Sequence, residues 1–194
     1  MRLPVNRLWK FELMKLLCVL MLFAAFLMPP SVQVTWERGV EVGLSQAHAQ
    51  GFTDFAENKI SDAFARGQSL VFPSTWYLKL STTTCTGDVT GTEVSTSGTN
   101  YARASYTPSL TSWSGTQAAG STTASSGTGG VTSNNGLISF NVPSASWGSV
   151  QSVEWMDALT AGNSWMCANL SVVQTISTGN TVSFAISSLS VTVQ

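Results

Sequence analysis

In the run Thr75-Trp76-Tyr77-Leu78-Lys79-Leu80, large apolar side chains recur at Trp76, Leu78 and Leu80. Successive side chains of a strand project to opposite faces, so a period of two describes a strand with one face buried. Pro73 stands just before this run, where its missing N–H does little harm. Comparable runs follow at Tyr101 to Tyr106, Gly136 to Val142, Val150 to Met156, Trp165 to Val173, Thr181 to Ile186 and Leu189 to Val193. Seven short strands separated by Gly, Asn and Ser turns predict an all-β fold, an antiparallel β-sandwich or jelly-roll-like domain. Ser177-Thr178-Gly179-Asn180 reads as a tight turn, because Gly and Asn tolerate positive φ.

Before the strands the period is helical. Asp54, with Glu57 three positions on, can cap a helix, and Phe55, Ile60, Ala63 and Phe64 recur near helical spacing until Gly67. A short N-terminal amphipathic helix over about 53–66 is expected, its apolar stripe buried on its own sheet or on a neighbouring subunit. Residues Leu110 to Asn135 are mostly Ser, Thr, Gly and Ala, too poor in apolar side chains to form a core, and read as a long surface loop or ragged hairpin. The functional counterpart is an exposed variable segment facing solvent or a host surface.

Residues 1–49 form a different region. Arg2, Arg7, Lys10 and Lys15 precede the apolar run Leu16 to Met28, which ends at Pro29 and Pro30. Thirteen apolar residues suit the h-region of a signal peptide and fall short of the roughly 20 that span a bilayer. Ala47-His48-Ala49 before Gln50 satisfies the small-x-small rule for signal peptidase but lies far beyond the apolar run. Two readings fit: an export leader with an extended c-region, or sequence upstream of the real start. In either case the expected partition is a leader over 1–49 and a self-sufficient β-domain over 50–194.

That β-domain has four basic residues (Lys59, Arg66, Lys79, Arg103) against seven acidic ones (Asp54, Glu57, Asp62, Asp88, Glu93, Glu154, Asp157). Such a balance offers no basic surface for nucleic acid. The single histidine, His48, precedes the domain, so Ser-His and Cys-His catalysis lack their base. No metal site or cofactor is expected, since there is no Cys-x-x-Cys, phosphate loop or dinucleotide motif. Paired carboxylates could serve a glycosidase, with Asp88, Glu93, Glu154 and Asp157 available, but they are read first as turn residues and strand-edge charges. Arg103 is likewise read as a solvated edge charge, with an ion pair to Glu93 or Asp157 at a subunit contact as the alternative. Cys85 and Cys167 are expected as a free, buried pair in preference to a disulfide. Trp76, Trp147, Trp155 and Trp165 are assigned to the core, and Trp113, in apparently exposed surroundings, is the residue able to stack on a glycan.

Several segments recur together in a known family. They are Glu57-Asn58-Lys59-Ile60, Pro73 to Leu80, Gly91-Thr92-Glu93-Val94 leading to Tyr101-Ala102-Arg103, and Ser133-Asn134-Asn135. They continue with Phe140-Asn141-Val142-Pro143 before Trp147-Gly148, Met156-Asp157-Ala158 before Gly162-Asn163, Gly179-Asn180-Thr181, and Leu189 to Val193. In this order and spacing, over Thr53 to Val193, the chain resembles the phage tail fiber proteins of tailed phages and prophages. The resemblance implies a small β-rich virion subunit without catalytic residues, contacting other virion proteins, repeated as a homo-oligomer and contributing to assembly or host attachment. A capsid decoration role stays open, as does a secreted adhesin or carbohydrate-binding module, which the leader and the tryptophans favour. The family starts close to the helix and lacks an export leader, which favours the misplaced start.

Overall fold

The computed structural model describes residues 41–126 and 130–193. The described chain is β-rich with one helix. Its elements are β1 (Glu41–Gly43), β2 (Ala47–Phe52), helix α1 (Asp54–Arg66), β3 (Trp76–Ser81), β4 (Ala104–Tyr106), β5 (Trp113–Ser114), β6 (Val131–Asn134), β7 (Ile138–Ser139), β8 (Gly148–Met156), β9 (Ser164–Ile176), β10 (Thr181–Phe184) and β11 (Leu189–Thr192). Eight strands form one sheet in the order β4-β3-β8-β9-β2-β11-β6-β5, and three form another in the order β1-β10-β7. Most pairs are antiparallel, but β1 runs parallel to β10 and β2 parallel to β11.

Register sorts the large sheet into two chemically distinct faces. Leu78 opposes Trp155 and Ala104, Trp155 opposes Met166, Ala168 opposes Ala49, and Ala49 opposes Val191. Cross-strand partners share a face, so these side chains form one continuous apolar surface. Val182 and Phe184 of the small sheet belong to the same hydrophobic core, with Phe140 set against Phe184 at 6.2 Å between ring centroids. The turn at Gly179 therefore carries the chain from one sheet to the other, since β10 pairs with β1 and β7 and not with β9.

The opposite face carries Lys79, Ser81, Ser152, Glu154, Cys167 and Asn169. Glu154 is expected at a strand edge or in a turn; instead β8 lies between β3 and β9, and the carboxylate is fully buried. Its Oε1 meets Lys79 Nζ at 2.7 Å and accepts from Gly91 N at 2.9 Å and Ser81 Oγ at 3.2 Å. Lys79 also donates to the Gly91 carbonyl. The chain between β3 and β4 thus folds back over this polar face. Gly91 sits so close that a Cβ there would stand 2.6 Å from that of Ser81.

A disulfide between Cys85 and Cys167 pins the same loop, with Cα atoms 6.0 Å apart, which corrects the expected free pair. The 82-residue separation corresponds to a chain-entropy stabilisation on the order of 4 kcal/mol. Asn169 reinforces it, its side chain accepting from Cys85 N and donating to the Cys85 carbonyl. Periodicity does not report this closure, because it depends on a loop with no repeating pattern.

Helix α1 matches the expected range, but its N-cap is Thr53, not Asp54; the hydroxyl accepts from Ala56 N and donates to the Ser164 carbonyl. Gly67 ends the helix in the left-handed conformation. Phe55 rests edge-on against Trp165, whereas Phe64 is 93% exposed, so the expected apolar stripe is only partly covered.

The expected domain boundary at Gln50 falls inside β2. Residues 47–49 sit between β9 and β11, and residues 41–43 pair with β10, so this stretch belongs to the sheets. Ala47 is fully buried and Leu44 nearly so. The rest of the expected leader, residues 1–40, lies outside the described residues. A chain beginning at Gln50 is expected to melt more than about 5 °C below one beginning at Glu41, as thermal denaturation followed by circular dichroism will show. Lys79→Ala, which strands the Glu154 charge, is expected to cost about 3–5 kcal/mol in urea denaturation. Lys79→Met combined with Glu154→Gln, which removes the charge and keeps an acceptor for Gly91 N, is expected to recover part of that loss.

Candidate functional site

The two edge strands of the large sheet, β4 and β5, are joined by residues 107–112 and approach one another. Tyr106 of β4 and Trp113 of β5 lie with ring centroids 5.2 Å apart and planes inclined at 40°. The sheet therefore curls until its edges meet across an aromatic pair. Beside that pair an open groove of about 570 Å³ runs onto the apolar face, lined among others by Trp76, Tyr106, Leu110, Trp113, Thr132 and Met166. Apart from Leu110 of the connection, these residues come from strands far apart in the chain and share the inward face because of register: Tyr106 opposes Trp76, and Thr132 opposes Val191.

Each ring is fixed by the layer beneath. The Tyr106 hydroxyl accepts from Trp155 Nε1 at 3.0 Å, and burial raises the phenol pKa well above its ordinary value. Trp76 stands edge-on to Trp165 at 5.6 Å. Trp113 is half-buried, correcting the exposed setting expected for it, and its indole Nε1 is shielded from solvent with no acceptor in the structure. The segment around it is a ragged hairpin: β5 pairs with β6, and Thr132 Oγ1 donates to the Ser114 carbonyl. Strands β5 and β6 are too short for periodicity to resolve. Asn134 is itself buried, donating to the Gly136 and Ala185 carbonyls and accepting from Leu189 N.

The carboxylates do not converge on the groove. Glu93 makes a two-pronged contact with Arg103, Oε1 to Nε at 2.8 Å and Oε2 to NH2 at 2.7 Å. Arg103 NH1 donates to the Ala158 and Ala161 carbonyls, so this arginine is buried within the domain, correcting the solvated edge charge. Burial lowers its pKa, but the Glu93 carboxylate outweighs that and holds it above the ordinary value. Asp157 organises the β8–β9 turn, accepting from Asn163 N at 2.7 Å and Asn163 Nδ2 at 2.8 Å. Burial would raise its pKa, yet these hydrogen bonds keep the carboxyl below its ordinary range. Asp88 is exposed on the loop after β3. Among the described residues no three metal-ligating side chains cluster.

The segments that carry the resemblance have structural tasks here. The Tyr101 hydroxyl accepts from Leu80 N at 2.7 Å, and Trp147 Nε1 donates to the Thr99 carbonyl at 2.9 Å with its ring edge-on to Tyr101. A family model described as podophage GP4 fiber I protein gp80 matches residues 51–192. The chain belongs to this phage fiber family. No curated protein matches it. The family range begins inside β2, so the strand positions of residues 41–50 in this fiber protein are additional to it.

Trp147→Ala removes a buried ring and is expected to cost about 3–5 kcal/mol. Half-buried Trp113→Ala is expected to cost about 2 kcal/mol, more than a surface position would. Urea denaturation of the two variants measures the contrast, and equal costs would mean that Trp113 is as fully enclosed as Trp147.

Proposed function

We propose that this chain is a non-enzymatic tail fiber subunit, carried on the outside of the virion and contributing to host-surface attachment. The observation that carries the reading is the family match over residues 51–192. Its two sheets are read as the layers of a sandwich around the shared core. The placement of the acidic side chains favours a structural role: Glu154 neutralises Lys79, Glu93 clamps Arg103 and Asp157 holds a turn. None is left facing a second carboxylate across the aromatic groove.

Fibers repeat their subunits, and symmetric assembly needs a self-complementary surface. The uncovered apolar side chains of α1 and the segment after it, Phe64 at 93%, Val71 at 76% and Phe72 at 53% exposure, supply such a surface. Antibodies raised against residues 51–192 are expected to decorate the tails of purified particles in electron microscopy. Labelling of the capsid would move the subunit to the head, and protein found only in particle-free medium would favour a secreted adhesin. Phe64→Asp is expected to lower the oligomer mass measured by light scattering without lowering the melting temperature of the subunit.

A further inference from the structure

We propose that the groove where the sheet edges meet is a binding site for an electrically neutral saccharide, with Trp113 and Tyr106 as its aromatic wall. The inference rests on the attachment reading above and adds the class of ligand. Two observations carry it. First, the wall is aromatic and open, with Trp76, Tyr106 and Trp113 on one inward face. The C–H face of a pyranose is apolar and flat enough to lie on such rings, while its hydroxyls remain directed to the rim.

Second, the rim is built of hydroxyls and not of charges. Ser109, Ser125 and Thr132 line the groove, and among the described residues no Asp, Glu, Lys, Arg or His does. A sugar carboxylate or phosphate entering it would lose hydration and meet no cation, a cost that selects against acidic ligands. Arg103 and Lys79, the cations buried in the sheet region, are already engaged by Glu93 and Glu154.

The test uses the full chain, titrated with maltohexaose, cellohexaose and mannohexaose as neutral probes and with hexagalacturonate as the acidic one. Tryptophan fluorescence and calorimetry report binding. At least one neutral probe is expected to bind, about tenfold more weakly to Trp113→Ala and with little change to Trp113→Phe, which keeps a ring. Hexagalacturonate is expected not to bind. Because Trp113→Ala also removes packing, Leu110→Glu serves as a second variant: Leu110 lines the groove and is 55% exposed, so a carboxylate there alters the site without disturbing the core. It is expected to weaken the neutral probes as well. Trp113-dependent binding of hexagalacturonate as tight as that of the neutral probes would overturn the neutral class. Absence of binding to every probe, with the protein still adhering to cells of the strain the phage infects, would overturn the saccharide site and leave attachment standing. Loss of that adherence too would overturn the attachment reading itself.

Discussion

The Lys79–Glu154 pair governs how the domain is closed. An ion pair taken out of water leans on further hydrogen bonds, and here Ser81 on the neighbouring strand and the backbone of Gly91 serve Glu154 Oε1 and the Lys79 ammonium, while Glu154 Oε2 is buried without a partner. Those backbone contacts require the long connection after β3 to lie flat on the sheet. The Cys85–Cys167 disulfide and the Asn169 clamp hold it there, with Cys167 directly opposite Glu154 in the strand register. A polar cluster on what would otherwise be a solvated face thus gives the sheet a second, smaller interior.

The arrangement divides labour between the two faces. On the polar side, specific partners fix the loop, and a residue larger than glycine at position 91 has no room. On the apolar side, packing of Leu78, Leu80, Val153 and Trp155 sets the curvature, and the two edges converge on Tyr106 and Trp113. The rings at the groove are therefore held by the core itself. Such backing keeps a recognition surface in one geometry without a dedicated set of supporting loops.

How much of this was legible in the sequence depended on the range of the interaction concerned. The long strands β3, β8 and β9 announce themselves because alternation over six or more residues is a local signal, and the helix ends at a glycine for a local reason. The burial of Glu154 was not legible: alternation places it opposite Val153 and Trp155 but says nothing of a loop arriving from residues 85–91. Arg103 and Cys85 were misjudged for the same reason, their partners being decided by tertiary approach. Trp113 was placed in exposed surroundings, whereas it is half-buried against Tyr106, because a two-residue strand leaves no period. The strand at residues 47–52 was hidden differently, since small residues ending in Ala47-His48-Ala49 resemble a processing site as readily as a central strand.

That strand has a consequence for the order of events during synthesis. Both of its neighbours, β9 and β11, are made long after it, and Ser45, just ahead of it, bonds to a residue 127 positions later. This earlier-made stretch thus waits for partners far along the chain, and its hydrogen-bonding edges stay open until β9 and β11 have appeared. Contacts of such long sequence separation slow folding and lengthen the exposure of unpaired edges. A nascent subunit of this design meets its siblings while that early strand is still unpaired, so local crowding on a polysome becomes part of what the fold must survive.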